Sequence, residues 1–220
     1  MSLGGVGLGQ VRWLGGATGA GKSAVASRLA ADFGLHLYST DAAIARHSAV
    51  QGETGEVVDS PDAPLLARFL ELSLDQRWLG QDARTMLKTF PWFAGERFTC
   101  IVGDLQQQPP QPLTLAEGFR LLPHLVRPLL DEPWQALWLV TTPAFRRRAF
   151  QRRAGAQRFW DRTSDPAASL ERLLERDALF ADRVEREARE LGLKVVLVDG
   201  TRPETAVAAE VARWFRLPGA

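Results

Sequence analysis

The chain reads as an α/β fold built on a mainly parallel, covered sheet of five strands. Three observations predict it. Five short apolar or β-branched runs, at residues 11–14, 35–38, 113–116, 136–140 and 194–198, each lead into a turn or a helix start. Helix-period patterns separate the runs, as in successive βαβ units. The last run, Val195-Val196-Leu197-Val198, is continuously apolar, as a strand covered on both faces must be.

The first run, Val11-Arg12-Trp13-Leu14, is followed by Gly16-Ala17-Thr18-Gly19-Ala20-Gly21-Lys22-Ser23, a complete G-x-x-x-x-G-K-[ST] pattern. A helical stretch with Val25, Leu29 and Phe33 on one face comes next. Strand, glycine turn and helix together are the context in which this pattern grips phosphate. Gly16, Gly19 and Gly21 free the backbone to turn its N–H groups toward phosphate oxygens. The start of the helix adds its positive dipole end. Lys22 is expected to bridge the outer phosphates, and the Ser23 hydroxyl to ligate magnesium.

The second run ends in Tyr38-Ser39-Thr40-Asp41. Ligands collect beyond the carboxyl ends of parallel strands, so Asp41 is expected in the same crevice. There it could take a proton from an attacking hydroxyl or hold magnesium; it would also serve as a helix N-cap. Residues 42–112 exceed a simple crossover and carry helical patterns, including Phe98, Ile101, Val102 and Leu105. They are read as a helical acceptor-binding lobe. Within it, Trp78, Trp92 and Phe93 are read as core residues or as rings that stack on an acceptor, and Arg97 and Asp104, at one helix edge, as an acceptor-binding pair or a surface salt bridge.

The third run ends at Glu117-Gly118, which places a second carboxylate near the nucleotide's metal or the acceptor. After the fourth run, residues 143–166 form an arginine-rich lid, with arginines 146, 147, 148, 152, 153, 158 and 162. Arg148, Arg152 and Arg153 are the candidate phosphate contacts, since arginine forks neutralise charge on a transferring phosphoryl group. A helix over 170–191 alternates acids and arginines along an exposed face, with Arg176 turned back toward the phosphates. Asp199-Gly200 then opens the last helix through Thr201-Arg202-Pro203.

Bulk composition narrows the remaining options. A length of 220 residues suits one domain, with residues 1–10 as a floppy glycine-rich leader. The net charge of +1 gives no general case for nucleic acid or an anionic membrane as partner. A single cysteine, Cys100, excludes an internal disulfide or a multi-cysteine zinc site and is expected to be a buried, inert thiol. No apolar run is long enough to span a bilayer, and the cytoplasm is the expected compartment. His36, His47 and His124 lack metal-ligand spacing and receive no role.

This order of parts resembles the P-loop small-molecule and nucleotide kinases, the group that includes adenylate, shikimate and gluconate kinases. The likeness covers nearly the whole chain. It rests on loop 16–23, Asp41, the helical lobe, Glu117-Gly118, the arginine-rich segment and Asp199-Gly200. It implies strand order 2-3-1-4-5, ATP with Mg2+, a lid closing over the phosphates, and adenine beside Thr201-Arg202-Pro203, with Arg202 a cofactor contact. The expected activity is transfer of the ATP γ-phosphoryl group to a hydroxyl of a small metabolite. One alternative is a nucleoside monophosphate kinase whose Arg46, Arg68 and Arg84 grip the acceptor phosphate. Another is a nucleotide-dependent switch, although no Asn-Lys-x-Asp motif is present. Two departures separate the chain from known acceptor classes. Ser39-Thr40-Asp41 stands where shikimate-type kinases carry paired aspartates, and the lid lacks the Asp-Asp pair of nucleotide kinases.

Overall fold

The computed structural model describes residues 7–48, 63–155 and 158–220. Parts of the expected leader (1–6), lobe (49–62) and lid (156–157) lie outside the described residues. Five parallel strands form one sheet in the order β2-β3-β1-β4-β5. They are β1 (Val11–Gly16), β2 (His36–Ser39), β3 (Thr114–Glu117), β4 (Ala136–Thr141) and β5 (Lys194–Val198). The fifth strand coincides with its predicted run. β1 extends two residues further because Gly15 and Gly16 continue the ladder onto Trp138 and Leu139 of β4. β2 and β3 each sit one residue later than expected, in register with each other from His36↔Thr114 to Ser39↔Glu117. Glu117 is therefore the last residue of a strand and not the residue after it.

Alternation along the strands builds a core on each face. Trp13, Ala116 and Trp138 point to one side, while Leu14, Leu115, Leu137 and Leu139 point to the other. The second side is covered by α1 (Lys22–Phe33), whose Val25 and Leu29 are buried, and by α10 (Glu204–Trp214) with Val207 and Val211. The first side is covered by α6 (Phe98–Gln106) and the long α9 (Pro166–Glu190). α9 begins four residues earlier than expected, because Asp165 accepts the Ala168 N–H as N-cap and Pro166 occupies the first turn. Its inward stripe, Leu173, Asp177, Phe180, Ala181, Val184 and Ala188, is buried at helical spacing.

The lobe consists of α2 (Ile44–Ser48), α3 (Pro64–Glu71), α4 (Leu74–Trp78), α5 (Ala83–Thr89) and α6. Short helices need local support, which capping supplies. Ser73 and Gln76 form a capping box at α4, and Asp82 caps α5 through the Thr85 N–H. The arginine-rich segment opens with α8 (Pro143–Gln151), the next helix after the single-turn α7 (Pro123–Val126). Its Phe150 and the downstream Trp160 are buried against Trp78 and Leu173, so this segment is anchored to the lobe through an aromatic cluster. The described end of the leader is anchored as well. Leu8 is 1% exposed, and the Gly9 carbonyl accepts from Arg12 and Gln135. Cys100 is only half-buried.

Candidate phosphate-binding and catalytic site

The carboxyl ends of β1, β2 and β3 lie side by side, and each delivers part of one crevice of about 600 Å3. From β1 comes the loop. Gly16, Gly19 and Gly21 all have positive φ, at 129°, 77° and 78°. At Gly16 the requirement is double, because a Cβ there would overlap the Leu139 backbone of β4. The Ala17 N–H donates to the Leu139 carbonyl at 2.8 Å, which ties the loop to the sheet. Gly21 is the N-cap of α1 and offers no side chain to the first-turn N–H groups. Those donors are left to a ligand. Thr18, Gly19, Ala20, Gly21, Lys22 and Ser23 all line the crevice.

Lys22 is 7% exposed, and its Nζ donates to the Ala17 carbonyl at 2.7 Å. Burial lowers its pKa below the ordinary lysine value; Asp41, Glu117 and Asp177 act against that, and Arg153 reinforces it. Desolvation wins over three carboxylates, so Lys22 is an under-compensated cation, and an anion in the crevice would supply the missing compensation.

Two carboxylates flank Lys22, and the structure gives them different surroundings. Glu117, 2% exposed, accepts from Ser23 Oγ at 3.1 Å and from Ser39 Oγ at 2.6 Å. Ser23 is thus paired with Glu117, and Asp41 stands apart from that pair. Ser23 Oγ and Glu117 offer two adjacent hard oxygen atoms, a set that would suit Mg2+ together with phosphate oxygens and water. Asp41 lines the crevice and is exposed to it. Burial raises its pKa above the ordinary aspartate value, only partly opposed by Lys22 and a Thr40 hydroxyl bond. Gly118 makes this arrangement possible. Its φ is 145°, and a Cβ there would overlap Thr40 Oγ1 and press on Asp41 Oδ1.

The Thr40–Asp41 turn is braced from behind by a polar network. The Arg120 guanidinium, buried in the protein, donates to the Thr40 carbonyl at 3.2 Å and to His47 Nδ1 at 3.0 Å. His47 Nε2 in turn meets Asp104 Oδ2 at 2.9 Å, which also accepts from Tyr38 and Arg46. His47 therefore has a role that spacing did not reveal. The expected Arg97–Asp104 pair does not form. Arg97 is the left-handed N-cap of α6, at φ 61°, and its carbonyl accepts from Arg120.

The arginines divide. Arg153 lines the crevice, where Asp177 and Asp41 support a charge that burial opposes. Arg148 lies outside it, over the Phe145 ring and donating to the Asp199 carbonyl at 3.3 Å. Arg152 is exposed at the C-cap of α8. Arg202 is drawn away to Glu210 of α10, at 2.7 Å. Arg146 is buried beneath the loop and Arg147 pairs with Glu171. Of the arginines considered for an acceptor phosphate, Arg46 is engaged by Asp104, and neither Arg68 nor Arg84 lines the crevice.

The far wall is aromatic. Trp78, Trp92 and Phe93 line it while also being buried in the core, joined by Phe69, Phe90 and Phe119. The last three carry no motif; the only hint is a chain with 11 Phe and 7 Trp but a single Tyr. Ser39 was also missed, because a serine beside an aspartate reads as ordinary turn chemistry. No family model matches the chain, and no curated protein matches it. Among the described residues no helix is long and apolar enough to cross a membrane.

Proposed function

We propose that the chain is an ATP-dependent phosphotransferase that moves the γ-phosphoryl group to a hydroxyl of a small molecule. The observation that carries the reading is Lys22, buried and under-compensated at the floor of a crevice that has the glycine loop on one side and Asp41 on the other. The loop amides and the start of α1 hold the phosphates, and Lys22 and Arg153 balance their charge. Ser23 and Glu117 would hold Mg2+, which supplies neutralisation of the β- and γ-oxygens. Asp41 accepts the hydroxyl proton as the acceptor oxygen bonds to the γ-phosphorus. The bond from that phosphorus to the β–γ bridging oxygen breaks, and its electron pair leaves with ADP. Little covalent chemistry falls to the protein, since positioning and electrostatics do most of the catalysis in phosphoryl transfer. Asp41 beside the phosphates favours a hydroxyl acceptor over a phosphate one, because two anions there would repel.

The test is acceptor-dependent ADP release across a metabolite library. The reading expects release with at least one hydroxyl compound and its loss in Lys22→Met. ATP binding with only slow, acceptor-independent hydrolysis would instead mark a nucleotide switch.

A further inference from the structure

Arg176 and Asp177 sit next to each other on the inward side of α9, 4% and 0% exposed. Arg176 Nε and Nη2 both donate to Asp177 Oδ1, at 2.8 and 2.6 Å. Arg176 Nη1 and Asp177 Oδ2 have no partner. A buried polar atom left unmet costs about 1–3 kcal/mol, so one donor and one acceptor held this way in a crevice wall call for a ligand that meets them. The surroundings of the pair say what kind. The guanidinium carbon is 4.5 Å from the Phe90 ring centre, 4.9 Å from Phe93 and 5.4 Å from Trp78. Phe69, Trp92 and Phe119 continue the same wall.

Charge narrows the class further. The cations lining the crevice among the described residues are Lys22, Arg77, Arg153 and Arg176. Lys22 and Arg153 face the phosphate loop. Arg77 donates to the Leu70 carbonyl at 2.8 Å and lies over the Phe69 ring, while Arg176 is neutralised by Asp177. Among the described residues lining the crevice, Arg77 is the only cation on the aromatic side without an acidic partner; its Nε is buried and its Nη2 is committed to the Leu70 carbonyl, while Asp41 repels an anionic acceptor. An aliphatic polyol fares no better, because most of its hydroxyls would face rings and go without partners.

We infer that the acceptor is an uncharged, planar ring compound bearing a hydroxyl, packed against the aromatic wall with a polar ring substituent on Arg176 and Asp177. The inference rests on the phosphotransferase reading for the fate of that hydroxyl, but the pocket's preference can be measured without ATP. Two chemical sources fit, a nucleoside and an aryl alcohol, and the experiment has an arm for each.

Binding to the full-length protein is measured by calorimetry for thymidine against thymidine monophosphate, naphthylmethanol against naphthoate, and glycerol. A non-hydrolysable ATP analogue is titrated separately. At least one uncharged ring compound is expected to bind about ten-fold or more tightly than its charged counterpart, with glycerol weaker than either. Trp92→Leu and, if it folds, Arg176→Met are each expected to weaken the ring compound at least about five-fold. Tighter binding of the charged partners, binding of neither ring compound, or preference for glycerol overturns the inference. Failure of the ATP analogue to bind overturns the phosphotransferase reading instead, so the two failures are distinguishable.

Discussion

The half of the crevice proposed to hold phosphate is one contiguous stretch, residues 16–23, whereas the half proposed to hold the acceptor is gathered from side chains between Phe69 and Asp177 on several different elements. The first half works through backbone: positive-φ glycines, bare N–H groups and one lysine. The second works through side-chain surface: aromatic rings around a buried Arg–Asp pair. A triphosphate is the same in every enzyme that uses it, so its cradle can be a short fixed motif. An acceptor differs from enzyme to enzyme, and its pocket is assembled from whatever the packed lobe presents.

The sharpest way to break this division is Lys22→Met. Activity is expected to fall by about three powers of ten or more. The ATP-free protein is expected to gain about 1 kcal/mol of stability at neutral pH, because the buried charge is removed. The sign follows from the lowered Lys22 pKa. Between the folded value and the ordinary value of 10.5 the native state binds fewer protons, so wild-type stability rises as pH climbs through that window. Lys22→Met should lack this rise in urea titrations followed over pH. An equal loss of activity and stability would mean that Lys22 is a structural residue.

Next in size is Asp41→Asn, expected to lower kcat by about two to four powers of ten if Asp41 takes the proton. Burial raises the Asp41 pKa, so the acid limb of the wild-type rate profile should lie above the ordinary aspartate value of 3.8. The residual rate of the variant should show no such limb. Unchanged kcat would remove Asp41 from the chemistry and leave the phosphate half intact.

Gly118→Ala probes the joint between the halves. The added Cβ collides with Thr40 and crowds Asp41 in a backbone conformation that alanine resists. A destabilisation of about 2 kcal/mol or more is expected by chemical denaturation, with a fall in kcat larger than any change in ATP affinity. The smallest effect is expected from Arg152→Ala. That side chain is exposed at the end of α8, so kcat/KM should change less than about three-fold. A large loss there would restore Arg152 to the reaction and imply a closed state of the arginine-rich segment.

The same division explains what the sequence disclosed. The strands and the loop were legible because each depends on local pattern: apolar runs of strand length, and a glycine turn between strand and helix; the strand order, which is not local, came only from the resemblance to the P-loop kinases. Asp41 and Glu117 were placed near the site by the rule that ligands gather at strand ends, but their partners were not. Ser39 meets Glu117 because the two are in register across β2 and β3, and Ser23 reaches the same carboxylate from the start of α1, after a strand whose Leu14 is also in register with Glu117; register cannot be read from one strand alone. The arginines 146–162 looked uniform in sequence. Packing sorts them: Arg146 goes under the loop, Arg148 toward Asp199, Arg152 to solvent and Arg153 to the crevice. His47 escaped notice because its partners, Arg120 and Asp104, lie 73 and 57 residues away.

A crystal structure with a non-hydrolysable ATP analogue and Mg2+ tests the central claim most directly. The account predicts the β- and γ-phosphates on the amides of residues 16–23, with Lys22 Nζ turned from the Ala17 carbonyl onto them and the metal on Ser23. Phosphates bound elsewhere, with Lys22 still on Ala17, would contradict it.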